Sequence, residues 1–182
     1  MSLVLVGSTS GSITLQEPAV AGSTVLTLPA VTGTVLTDTS PKAGNVIQVV
    51  NATYSSLASA TTSTFVDTGL SATITPSSSS SKILILVSQN GVGHDAANTY
   101  MALRLLRSST VICNFEKQFG YNSTAANNFY AATSTNYLDS PATTSATTYK
   151  VQIATVTKTG TVYINNAWNA ATSTITLMEI AA

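Results

Sequence analysis

From Asn45 onward, short runs of β-branched, aliphatic and aromatic residues alternate with clusters of Ser, Thr, Asn and Gly. The runs cover residues 46–50, 64–67, 72–75, 82–88, 100–106, 111–115, 129–132, 149–156, 162–164 and 174–180. None sustains a helical period, so the pattern predicts strands throughout. Helix formers cluster only at Met101, Ala102, Leu103, Leu105 and Leu106. There Tyr100, Ala102, Arg104 and Leu106 also alternate with Met101, Leu103 and Leu105, and the surrounding strands favour β. Eight to ten strands in about 138 residues fit a two-sheet jelly-roll sandwich, with an eight-strand closed barrel as the alternative. Thr68-Gly69, between two of the runs, reads as a hairpin turn. Pro76 and the serines that follow it, 77–81, read as a loop tip.

Residues 1–40 follow a different pattern. Gly11, Gly22 and Gly33 are spaced by eleven, as are Pro18 and Pro29, and Ala19-Val20 is matched by Ala30-Val31. Each unit is a short β stretch closed by Pro and Gly, with Ile13 and Leu15 alternating against Ser12 and Thr14. Proline cannot donate to a ladder, so it marks the strand ends. One unit is too small to bury its own apolar face. Three chains wound about one axis would let each face meet its copies. The alternative is an arm that orders on a partner surface. The candidate trimer or capsid contacts are Ile13, Leu15, Val25, Leu26, Leu28, Val35 and Leu36. Residues 41–45 read as a linker, and 46–182 as the jelly-roll head.

Composition narrows the function. Lys plus Arg is 7 and Asp plus Glu is 7, giving zero net charge, and charged residues are only 8%. Ser and Thr together make up about 30%. With no basic excess, neither a nucleic-acid partner nor an anionic membrane is expected. No window reaches the length of a membrane span, and the N-terminus lacks a signal-peptide pattern. The chain is therefore expected to be made soluble in the cytoplasm of the cell that synthesises it. Zero net charge removes colloidal repulsion, so a chain of this kind is safest with its neutral faces covered in an assembly.

Candidate chemistry is sparse. The single cysteine, Cys113, lies in an apolar run and is expected as a buried small hydrophobe. His94 beside Asp95 could serve a Ser-His-Asp hydrolase, but the nucleophile-elbow motif is missing, and His94 is expected in a loop or an interface. Three copies of His94 on a trimer axis are the one conceivable metal site, and neither a metal nor a cofactor is assigned. Glu116 and Asp139 are expected in separate loops that could bring them together, and nothing in the sequence pairs them as a glycosidase would need. The sequons at Asn51 and Asn122 are expected to be chance matches in a chain rich in Ser and Thr. Two loops combine aromatics with Asn: 115–130, with Tyr121 and Tyr130, and 163–169, with Trp168. Such rings and amides suit a glycan or a protein surface, although ordinary core or interface packing also accounts for them.

The front segment, Gly7-Ser8-Thr9-Ser10-Gly11-Ser12-Ile13-Thr14-Leu15 with Pro18-Ala19-Val20-Ala21-Gly22 and 24–36, resembles a stretch found in tailed-phage virion proteins of the marine-phage and cyanophage kind. The segment from Ser63 to Leu70 and on to Ile85 is similar to the start of fibre C-terminal β-domains. The resemblance implies a homotrimer with a slender β N-terminal part, a jelly-roll head and no enzymatic activity. It implies a virion location, either as a capsid decoration (cement) protein on the major capsid protein or as a short tail fibre. In the second case Tyr121, Tyr130 and Trp168 would meet a host-surface glycan or protein.

Overall fold

The computed structural model describes residues 42–121, 123, 130–156, 160–166 and 171–182 in full, and residues 2–6, 12–16 and 129 in backbone only. Of the arm candidates, Val25, Leu26, Leu28, Val35 and Leu36 lie outside the described residues, as does Trp168. The chain divides into two compact units, residues 1–35 and 36–182. In the first, β1 (Ser2–Val6) and β2 (Ser12–Gln16) form an antiparallel ribbon in which Leu3 lies opposite Leu15 and Leu5 opposite Ile13.

The second unit holds β3 (Val46–Tyr54), β4 (Ala58–Ala60), β5 (Val66–Ile74), β6 (Lys82–His94), β7 (Met101–Arg107) and β8 (Thr110–Phe119). It continues with β9 (Phe129–Asp139), β10 (Thr147–Thr155), β11 (Val162–Ile164) and β12 (Ser173–Ile180). The pairings nest. β7 pairs with β8, β6 with β9, β5 with β10, and β3 with β12, all antiparallel. Each pair encloses the one before it, as in one long hairpin. Rolled up, that hairpin gives two sheets, β5-β10-β7-β8 and β3-β12-β6-β9, which is the jelly-roll order. Beyond Ser88, β12 gives way to β11, which pairs with the far end of β6 and carries β4.

Alternation along the strands builds the core. Ile83, Ile85 and Val87 of β6 and Ile175 and Leu177 of β12 pack in one cluster with Leu103 and Leu105 of β7. Tyr149, Val151 and Ile153 of β10 complete the same cluster. At one end, which we call the base, buried polar groups join the elements. Arg107 Nη1 donates to both carboxylate oxygens of Asp139, at 3.0 and 2.9 Å, and the Tyr149 hydroxyl donates to Asp139 Oδ2 at 2.7 Å. Burial first, and then the Asp139 carboxylate, push the Tyr149 pKa far above its ordinary value.

The structure corrects several expectations. The second unit is a two-sheet sandwich and not a closed barrel. Thr68-Gly69 is no hairpin turn: 66–74 is one strand with a bulge, where register slips between Lys150 and Gln152 of β10. Gly69 takes φ +88°, and the Tyr54 ring covers it so closely that a Cβ would overlap the ring. Residues 115–119 and 133–139 are strand, not loop, so Glu116 and Asp139 both sit in strands. The polar inward positions of β9 hid its extension past the predicted run 129–132: Thr133 and Asp139 face inward because partners from β7, β8 and β10 satisfy them. Cys113 is half-buried against the core rather than fully enclosed, because register shifts between β7 and β8 turn this edge partly outward.

Candidate functional site

The end opposite the base gathers most of the residues singled out for chemistry. β6 ends there at His94, β8 at Phe119, and β9 starts there at Phe129. His94 Nε2 lies 2.6 Å from the Gly120 carbonyl oxygen. A carbonyl only accepts, so this nitrogen carries the proton and donates. The contact ties the end of β6 to the turn after β8. Tyr121 follows that turn, and its hydroxyl donates to Asn98 Oδ1 at 3.1 Å. Its ring packs against Tyr100, with centroids 5.3 Å apart. Asn98 holds a left-handed backbone, φ 56°, a conformation that Asn tolerates well.

A second cluster involves the two strands that flank the end of β6. Tyr130 of β9 and Tyr163 of β11 are the cross-strand partners of Gly93, one on each side. The Tyr163 hydroxyl donates to Asp95 Oδ2 at 2.6 Å, and Thr161 N–H donates to Asp95 Oδ1 at 2.7 Å. Burial works against the Asp95 carboxylate, but these bonds outweigh it and hold the pKa below its ordinary value. Burial and the neighbouring Asp95 charge raise Tyr163. Gly160 lets the strands close: a Cβ there would come within 2.8 Å of Asp95 Oδ1 and nearer still to Ala96 and Thr99. Asn165 and Asn166 cap the cluster, with backbone N–H bonds to Asn90 and Gly91 carbonyls.

This geometry redirects the chemistry expected of His94 and Asp95. His94 is the last residue of a strand and is 1% exposed, so it is neither a loop nor an interface residue. Buried within its own chain, it cannot meet copies of itself on an axis to hold a metal. Both Asp95 oxygens are taken by Thr161 and Tyr163, and His94 Nε2 is committed as a donor, so no Ser-His-Asp relay is assembled. Glu116 accepts from Thr133, and Asp139 from Arg107 and Tyr149, so the two carboxylates serve separate clusters. Among the described residues no group of three or more His, Cys, Asp or Glu could hold a metal ion.

Of the predicted contact residues, Tyr121 is 56% exposed in the turn after β8, and Tyr130 is 36% exposed within β9 rather than in a loop. The fold brings both to the same end, Tyr130 on β9 beside β6 and Tyr121 after β8 of the other sheet. Tyr100 and Asn98, which support this surface, carry no sequence signal beyond their place near strand ends, and Asp95 is legible only as the neighbour of His94. The surface offers the exposed ring of Tyr121, whose hydroxyl is bonded to Asn98, and an exposed Asp95 whose two carboxylate oxygens are already bonded. That arrangement can stack and hydrogen-bond, and it holds no free acid–base pair.

No protein-family model and no curated protein sequence matches the chain. The solved structures that are similar in part include the following three. The chain aligns with the infectious bursal disease virus VP2 subviral particle at 12% identity and TM-score 0.39, covering 74% of this chain and 37% of that one. The infectious bursal disease virus Gt strain gives 13% identity and TM-score 0.37, with 98% and 46% covered. T=1 particles derived from the same virus give 13% and 0.35, with 98% and 44% covered. The chain thus spans less than half of each of these proteins. At such scores the assignment of fold rests on the strand order described above.

Proposed function

We propose that this chain is a virion structural protein, namely a trimeric capsid decoration protein that binds the assembled shell through residues 1–40. The observation that carries the reading is the union of two parts. One is a self-contained jelly-roll body. The other is a separate N-terminal β-ribbon, in the segment that resembles phage virion proteins. The low charge supports it, because contact with a shell through backbone pairing and apolar side chains needs no ion pairs. A protein that binds only the assembled shell stabilises that state by mass action. Quantitative mass spectrometry of purified particles tests this. The expected result is a copy number of the same order as the major capsid protein, and absence from the particle would overturn it. Removal of residues 2–36 is expected to abolish capsid binding while the head still folds, and a truncated head that binds fully would refute the role of the arm.

A second reading is favoured by one specific feature, the exposed Tyr121 and Tyr130 at a single end. In it the head is a short tail fibre or receptor-binding tip, and Tyr121, Tyr130 and Trp168 contact a host-surface glycan or protein. A copy number of a few per cent of the shell protein, with host-cell binding weakened by Trp168→Ala, would select this reading.

A further inference from the structure

The two outer faces of the sandwich differ in kind. On β5-β10-β7-β8 the outward side chains form a polar ladder. Arg104 Nε donates to Gln152 at 2.8 Å, Gln152 donates to Asp67 at 2.7 Å, and Lys150 donates to Asp67 at 2.8 Å. Arg104 also lies 3.8 Å above the Phe65 ring. On β3-β12-β6-β9 the register aligns four outward residues directly: Val49, Met178, Leu84 and Leu138. Leu86 and Ile180 flank this row. Val49 is 55% exposed, Leu138 52% and Leu86 39%, so the apolar row is open. Among the described residues of these four strands, Lys82 is the only charged side chain on the outer face, because Asp139 and Glu179 are buried. β3 borders this sheet and is nine residues long with neither charge nor Pro. Sheet edges left in solvent are normally blunted by such residues.

We infer that copies of this chain meet through the outer face of β3-β12-β6-β9, with Val49, Met178, Leu84 and Leu138 at the centre of the contact. Four strands about 4.8 Å apart and five residues at about 3.3 Å each give a patch about 19 by 17 Å. That suits the apolar centre of an interface burying about 800 Å² per partner, but not the whole of it. The next rows, Asn51-Thr176 and Thr53-Thr174 with Ser88 and Ser134, supply the neutral polar rim that such a centre requires. A face with one marginal charge offers no electrostatic code for choosing a foreign partner. It suits a second copy of this neutral chain, which meets it with no charge buried unpaired. The inference deepens the self-association part of the proposed function and rests on it.

The test is the solution mass of the full chain by light scattering and sedimentation at micromolar concentration. Wild type is expected at a multiple of 18.7 kDa, and Leu84→Glu combined with Leu138→Glu at 18.7 kDa with an unchanged β circular dichroism spectrum. If the double variant does not fold, Val49→Lys, at an exposed edge position, takes its place with the same expectation. Thr73→Glu, on the opposite sheet, is expected to leave the assembly intact. An assembled, folded face variant would overturn the choice of face while leaving self-association standing. A monomeric wild type would overturn both, whereas particle copy number tests the virion reading separately.

Discussion

Glu179 occupies the core face of β12, in alternation with Ile175 and Leu177, and is completely buried. Its Oε1 accepts the Ser77 N–H at 2.8 Å and the Ser77 hydroxyl at 2.7 Å, and its Oε2 accepts the Gln48 amide at 2.6 Å. Burial alone would raise the carboxyl pKa. The bonds from Gln48 and Ser77 outweigh it and lower the pKa from 4.5 to about 2. The Ser81 hydroxyl lies on the same side but outside hydrogen-bond geometry, so Gln48 and Ser77 carry the effect. A pKa lower in the folded than in the unfolded chain stabilises the fold above the unfolded value. The stabilisation here is therefore complete above 4.5 and disappears as pH falls through about 2. At about 1.36 kcal/mol per pH unit, the shift is worth about 3 kcal/mol. Glu179→Gln keeps the shape but removes the charge, and it turns an NH₂ toward groups that are themselves donors. The variant is expected to lose about 3 kcal/mol at neutral pH in urea unfolding, and the gap to wild type should close as the solution is acidified. Asp67 and Asp95, whose pKa values are also lowered, titrate in both proteins and cancel in the difference. A gap that stays constant from neutral to strongly acid pH would refute the assignment. So would a variant as stable as wild type at neutral pH.

Three other perturbations probe the fold. Tyr149→Phe removes a buried donor to Asp139 and is expected to lower stability by about 1–3 kcal/mol by chemical denaturation, whereas no change would dissociate that hydroxyl from the base cluster. Gly69→Ala is expected to lose about 2 kcal/mol or more, from positive φ together with the collision with Tyr54, and a neutral result would show that the bulge relaxes freely. Gln89 is fully buried on the core side of β6, and neither amide atom has a hydrogen-bond partner among the described residues. Gln89→Met is therefore expected to raise the melting temperature, by about 1 kcal/mol in stability, and a destabilised variant would mean the amide is solvated or paired.

Period-two alternation in an uninterrupted chain of short runs was enough to determine the β class and most strand positions. The β7 stretch shows why. Its residues favour helix by propensity, yet the alternation of Met101, Leu103 and Leu105 matches one buried face, and burial outweighs propensity. The jelly-roll class was also legible, from strand number and loop length. The pairing order was not, because nested pairing joins residues as far apart as Gln48 and Glu179, and local pattern holds no record of such contacts. The second part of β9, residues 133–139, stayed hidden for a related reason: Thr133 and Asp139 face inward only because Glu116, Arg107 and Tyr149 arrive from other strands. Gly69 shows the same limit, since a glycine between two β runs fits a turn or a bulge, and the Tyr54 ring from β3 selects the bulge. At the candidate site the sequence supplied Tyr121 and Tyr130 but not their setting. The folded chain decided that His94 is a buried tie and that Asp95 is spent on Tyr163. It also decided that Val49, Met178, Leu84 and Leu138, from four separate strands, share one row. Hydrophobic periodicity assigns each residue to a face of its own strand, and only register across the sheet decides which residues become neighbours.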